Sequence, residues 1–194
     1  SFLLSNIKTS EIKGFFPSGC INFLDSTVHN IKIKIQNADC PDALQFTRSN
    51  GDVSEVEIIN SAYDALDVDF SNLEFKKVNI NSAKQECIGF KSGLYRVHNA
   101  ILSNCKDKAI SVGEISTAFF DKVFITNSTH GIVSKDTAEI YVENFKSEKI
   151  SFSCLAAYRL KNNFTGSYIR INNLINKCDV EPFEQNGSKI DIIN

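Results

Sequence analysis

Five segments of this chain superimpose at a spacing of 22 residues, and no other property of the sequence restricts its fold as much. They read Asp42-Ala43-Leu44-Gln45-Phe46, Asp64-Ala65-Leu66-Asp67-Val68, Glu86-Cys87-Ile88-Gly89-Phe90, Lys108-Ala109-Ile110-Ser111-Val112 and His130-Gly131-Ile132-Val133-Ser134. A further copy, Ser153-Cys154-Leu155-Ala156-Ala157, arrives one residue late, and Gly19-Cys20-Ile21-Asn22-Phe23 reads as an earlier one. A period of this size marks a solenoid, in which each unit buries its apolar face only against its neighbours. The second position is always small and the third always Ile or Leu, so these columns point inward.

About ten residues before each block lies a pair of apolar residues with period-two alternation: Ile33 and Ile35, Val56 and Ile58, Val78 and Ile80, Ala100 and Leu102, Val123 and Ile125. Period two and β-branched side chains indicate strands. Asn37, Asn60-Ser61, Asn81-Ser82, Asn104 and Asn127-Ser128 fall between the strands, and such residues tolerate left-handed corners. Short strands without an amphipathic helix can pair only with their counterparts one coil away. The expected fold is therefore all-β: a right-handed, single-stranded parallel β-helix of about eight coils, roughly 22 residues each. A leucine-rich repeat would need a Leu-x-x-Leu-x-Leu consensus, which is absent.

The length suits one domain over 1–194, with 168–194 as the last coil or C-terminal cap. The chain has no Met and opens directly on a coil-like segment, so a fragment of a larger protein is expected. No apolar run is long enough for a membrane span. A net charge of −2, without a basic stripe, argues against nucleic acid as a partner.

Of the six cysteines, Cys20, Cys87 and Cys154 fall in the small inward column, where a thiol acts as a compact hydrophobe. Cys87 is flanked there by Ala65 and Ala109, so free buried thiols are the favoured expectation. If a bridge exists, Cys154 to Cys178 is the candidate. No Cys-x-x-Cys pair suggests zinc. Three segments fit the N-glycosylation pattern, at Asn127, Asn163 and Asn186, as an Asn- and Ser-rich chain does by chance.

Function on a solenoid comes from outward columns. One runs Asp42, Asp64, Glu86, Lys108, His130; another runs Thr47, Asp69, Lys91, Gly113, Lys135, Tyr158. Together with Ser111, Glu114, Asp136 and Arg159 these gather acids, bases and an aromatic ring on one surface, a pattern suited to a sugar chain. Asp67, Lys91, Glu114, Tyr158 and Arg159 are the candidate substrate-binding residues. Lys135 is the candidate base, with Asp69 and Asp136 as charge partners. The plainer reading is a cross-strand charge ladder with no chemistry. Asp67 and Asp69 are the only candidate ligands for Ca²⁺, and two carboxylates make a sparse oxygen set. His130 sits at a corner beside Gly131 and can titrate near neutrality.

Over essentially its whole length the chain resembles the pectin-lyase-like right-handed parallel β-helix superfamily. Asp107-Lys108-Ala109-Ile110-Ser111-Val112-Gly113-Glu114, Gly131-Ile132-Val133-Ser134-Lys135-Asp136 and Leu155-Ala156-Ala157-Tyr158-Arg159 look like β-helix regions of bacterial surface proteins found beside spore-coat-kinase-like (CotH) domains. The resemblance implies extracellular, cell-surface or periplasmic work on a polysaccharide. A polygalacturonase-like motif order is met only in part. Asp107-Lys108 stands at its Asp-Asp position, Thr129-His130-Gly131 at its Gly-His-Gly position and Arg170-Ile171-Asn172 at its Arg-Ile-Lys position. Lys108 is a poor substitute for the proton-donating carboxyl that glycoside hydrolysis needs. An enzyme of this kind is expected to be a lyase or epimerase on uronic acid polymers; the alternative is a non-catalytic spacer or adhesion module. A monomer is favoured over a tailspike-like trimer, because the outward columns carry no apolar stripe.

Overall fold

The computed structural model describes residues 2–6, 18–178, 180–185 and 187–193. Their strands join in one sheet with parallel pairing throughout, wound as a β-solenoid of about eight turns. No helix among the described residues is long and apolar enough to cross a membrane.

Each turn presents three faces. The first is built from Gly19–Leu24, Asp42–Thr47, Asp64–Asp69, Ile88–Lys91, Lys108–Gly113 and the C-terminal parts of Thr117–Lys135 and Glu139–Tyr158. The second runs through Asn72–Phe75, Tyr168–Leu174, Lys189–Ile192 and the N-terminal parts of the long strands Asn50–Ser61, Leu94–Cys105, Thr117–Lys135 and Glu139–Tyr158. The third stacks Phe2–Ser5, the middle of Thr27–Ala38, Val78–Ala83 and the later parts of the same long strands.

The repeat seen in the sequence is the register of the sheet. Leu44, Leu66, Ile88, Ile110, Ile132 and Leu155 are successive partners in the first face, and all are fully buried. Beside this row the aromatic residues of the interior form a stack along the axis. Phe23 lies on Phe46 at 4.7 Å, Phe75 on Phe90 at 6.0 Å and Phe90 on Tyr95 at 4.3 Å. Tyr95 can sit inside because its hydroxyl lies 2.8 Å from the Lys91 carbonyl, an acceptor for its proton.

The corners are where Asn was expected. Asn37, Asn60, Asn104 and Asn127 have φ of 55°, 62°, 60° and 55°. Their side chains form ladders from coil to coil: Asn37 Nδ2 donates to Asn6 Oδ1 at 3.1 Å, Asn60 Nδ2 to Asn37 Oδ1 at 3.0 Å, and Asn104 Nδ2 to Asn81 Oδ1 at 2.8 Å. On the third face Lys34 pairs with Glu57 at 2.8 Å and Lys77 with Glu55 at 3.0 Å, a charge ladder between neighbouring strands.

The expectation of free thiols is overturned. Cys20–Cys40, Cys87–Cys105 and Cys154–Cys178 are disulfides, and no described cysteine is free. The inward column was the wrong place to look for a partner. Cys105 is the register partner of Ala83 at the end of the third face, one corner away from the column of Cys87. A separation of 18 to 24 residues is about one coil, which brings the Cα atoms to 5.5–5.9 Å across that corner. Replacing both Cys87 and Cys105 by Ala is expected to lower stability by about 3 kcal/mol, the loop-closure term for a ring of this size. Urea unfolding measures it, and an unchanged midpoint would mean that the bridge contributes nothing.

Candidate functional site

On the first face, residues between the inward positions point out, yet several are covered. The Asp67 side chain is only 8% exposed. Lys91, one coil on, reaches back to it: its Nζ lies 3.1 Å from Asp67 Oδ1 and 3.5 Å from Asp69 Oδ1. Asp69 Oδ1 is itself buried and has no hydrogen-bond donor. Burial pushes the Asp67 carboxyl up to about 7, against the pull of Lys91 and with the repulsion of Asp69 and Asp42. Asp64, which accepts a hydrogen bond from the Glu86 N–H at 2.7 Å, is raised to about 6, again mainly by burial. Burial works against the Lys91 charge, but Asp67 and Asp69 outweigh it and hold its pKa above the ordinary lysine value. The Lys91 ammonium stands between the two carboxylates considered for Ca²⁺. No group of three or more His, Cys, Asp or Glu among the described residues could hold a metal ion.

The outward column Thr47, Asp69, Lys91, Gly113, Lys135, Tyr158 is continuous, as the repeat implied. Its members do different things. Lys135 lays its stem against Gly113, where a Cβ would come within 3.1 Å of Cγ and Cε. Among the described residues its ammonium has no hydrogen bond or ion pair. Asp136 is fully buried, with φ 55°, and its Oδ1 accepts from the N–H groups of Leu160 and Lys161 at 2.7 and 2.8 Å. It therefore anchors the loop that follows Tyr158 and does not stand beside Lys135. Glu114, at another left-handed corner, is ion-paired with Lys161 of the same loop. Tyr158 is half-buried, which raises its pKa, and meets Phe183 edge-on at 6.5 Å. Arg159 is exposed. Ser111 is covered, in the column that carries Asp67 and Gly89. His130 packs on Phe152 at 4.9 Å with its Nδ1 buried and unpartnered, and burial lowers its pKa.

Open concavities lie elsewhere: one of about 280 Å³ on the third face, lined by Glu57, Asn79, Ile101 and Ser103 among others, and two on the second face. A cleft of about 400 Å³ is lined by Gly51, Asn72, Leu73, Glu74, Leu94, Tyr95, Arg96 and Phe119. A second, of about 270 Å³, follows it along the axis and shares Arg96 and Phe119. Gly51 in this lining has φ +118°, and a Cβ there would meet the Val28 carbonyl oxygen at 2.0 Å, so the backbone conformation requires glycine. Phe119 is the register partner of Arg96 on one side and of Tyr141 on the other. It stacks on Tyr141 at 5.2 Å and 14°, which leaves its other face turned toward Arg96. The Arg96 guanidinium is held by Asp121 at 2.7 Å. Tyr141 in turn meets Tyr168 at 5.9 Å. His98 closes the rim, with Nε2 2.6 Å from Glu74 and Nδ1 2.6 Å from Asp121. The Glu74 hydrogen bond leads in raising its pKa.

No family model, no curated protein and no solved structure matches the chain. The site is therefore judged on its chemistry alone. The first face is a compact charge network whose acids and bases are largely engaged with one another. The second offers a ligand-sized hollow ended by an aromatic face and rimmed by hydrogen-bonding groups, the usual composition of a small-molecule or glycan site. Sequence reasoning passed over Phe119, Tyr141 and Arg96. Alternation would have found them: Ala118 and Phe120 point in, so Phe119 points out, and Tyr141 stands likewise between Ile140 and Val142.

Proposed function

We propose that this chain is a polysaccharide-binding β-helix domain of a secreted or cell-surface protein. The observation that carries the reading is the cleft of about 400 Å³ lined at one end by Phe119, which stacks on Tyr141. A pyranose ring packs its apolar face on an aromatic ring, while Asn72, Glu74 and Arg96 supply acceptors and donors for its hydroxyls. The second cleft continues in the axial direction, so a chain of sugars can run along successive coils. Three disulfides support an oxidising compartment, outside the cytoplasm. The likeness to pectin-lyase-like β-helices supports the same reading at the level of fold only.

Binding is favoured over elimination or epimerisation. The charge partners expected for Lys135, the candidate base, are engaged elsewhere: Asp69 faces the Lys91 ammonium at 3.5 Å, and the Asp136 carboxylate is committed to the loop after Tyr158. Phe119→Ala is expected to weaken binding of a soluble polysaccharide by about tenfold, close to 1.4 kcal/mol. Phe124→Ala, on the third face, serves as the control and should leave it unchanged. Isothermal titration or affinity electrophoresis reads the difference. Equal binding by both variants would remove the cleft from the account, and no binding by the parent protein would favour a structural spacer.

A further inference from the structure

We infer that the polysaccharide taken by the Phe119 cleft is neutral, not a polyuronate; this rests on the glycan-binding reading above. A polyuronate presents a carboxylate on each sugar, and a groove that holds it must offer unengaged cations at about the spacing of the coils. The second face does not. Arg96, the one base common to both clefts, is held by Asp121 at 2.7 Å. His98 is held between Glu74 and Asp121 at 2.6 Å on each side. Drawing Arg96 toward a ligand carboxylate would strip Asp121 of a partner beside an incoming negative charge, so the exchange gains little and adds repulsion.

The acids on this face outnumber the bases. The two clefts are lined by Glu74, Asp121 and Glu143 against Arg96 and Arg170. Among the described residues Arg170 has no ion pair: its Nε donates to Asn172 Oδ1 at 2.9 Å, and its charge faces Asp191, its partner in register, whose carboxyl it helps to lower. One such guanidinium at the far end cannot match a charge on every sugar. The same carboxylates suit a neutral chain well. Glu143 accepts from Asn172 Nδ2 at 2.7 Å through Oε2, and Glu74 meets His98 through Oε1. Each has a second oxygen with which to accept a sugar hydroxyl, as carboxylates do in hydrogen-bonding to diols. Leu94, exposed in the lining, adds contact area that does not depend on charge.

The test uses the intact, oxidised protein with two probes: polygalacturonate, and a panel of neutral soluble glucans, mannans and xylans. Each is titrated at low and at high salt. At least one neutral polymer is expected to bind, with an affinity that changes less than about twofold with salt, while polygalacturonate shows no binding. Glu143→Lys, an exposed change at the rim of the second cleft, should then give salt-sensitive polygalacturonate binding and, having lost a hydroxyl acceptor, bind the neutral polymer more weakly than the parent protein. Polygalacturonate binding by the parent protein that weakens in high salt and is lost in Arg96→Gln would overturn the inference and leave the glycan-binding reading in place. No binding to either class would overturn both.

Discussion

Phe90→Ala is expected to destabilise the protein by about 3–5 kcal/mol, the usual cost of emptying a phenylalanine site in a core that cannot close over it. Phe90 is fully buried and stands at the middle of the interior stack, 4.3 Å from Tyr95, 6.0 Å from Phe75 and 6.3 Å from Phe120. In a solenoid each unit is held only by its neighbours, so a void at one level loosens two interfaces together. The backbone ladders above and below fix the strand spacing and prevent collapse into the gap. Urea unfolding measures the loss. A change below about 1 kcal/mol would mean that the aromatic column is loosely filled, contrary to its ring distances.

The second large effect is on pH. The native carboxyls of Asp67 and Asp64 are raised to about 7 and about 6, chiefly by burial, and that of Asp42 is raised as well. Between about pH 4 and pH 7 the folded chain therefore binds more protons than the unfolded one. By linkage, stability falls as pH rises through this window. Asp67, the carboxyl raised furthest and with a side chain only 8% exposed, contributes the largest share of this fall. Asp25, Asp52, Glu55 and Asp191 have lowered values and act with the opposite sign, but they titrate below the window. Near neutrality His98, raised, adds to the fall, and His130, lowered, opposes it. Unfolding free energies from pH 4 to 8 should slope downward, and Asp67→Asn should flatten most of the slope. A rising profile, or one indifferent to Asp67→Asn, would contradict this account of the acid cluster.

The architecture was legible because its determinants are local and repeated. The column of Leu66, Ile88, Ile110 and Ile132 announces a period, and Asn37, Asn60, Asn104 and Asn127 announce the corners. What escaped depends on geometry between columns. Cys87 has only alanines above and below, and nothing in the sequence says that Cys105 faces it across a corner. Asp136 lies next to Lys135 in sequence, but a left-handed residue turns it inward to the loop amides. The Phe119, Tyr141, Tyr168 row is obscured because the loop after Tyr158 lengthens one coil, so the last two rings are 27 residues apart and fall off the repeat. Charge drew attention to the first face, where opposite charges had already found each other; the accessible hollow needed coordinates.

The three cystine links have a mechanical consequence. They sit toward the beginning, in the middle and toward the end of the described coils, each fastening one turn to the next. A spring wound without such rivets peels one turn at a time from whichever extremity is tugged. Here peeling halts at the first rivet, and the thread enclosed between paired sulfurs stays out of the extended length. A tether of this build would yield in short, arrested steps and tighten again once the load is removed.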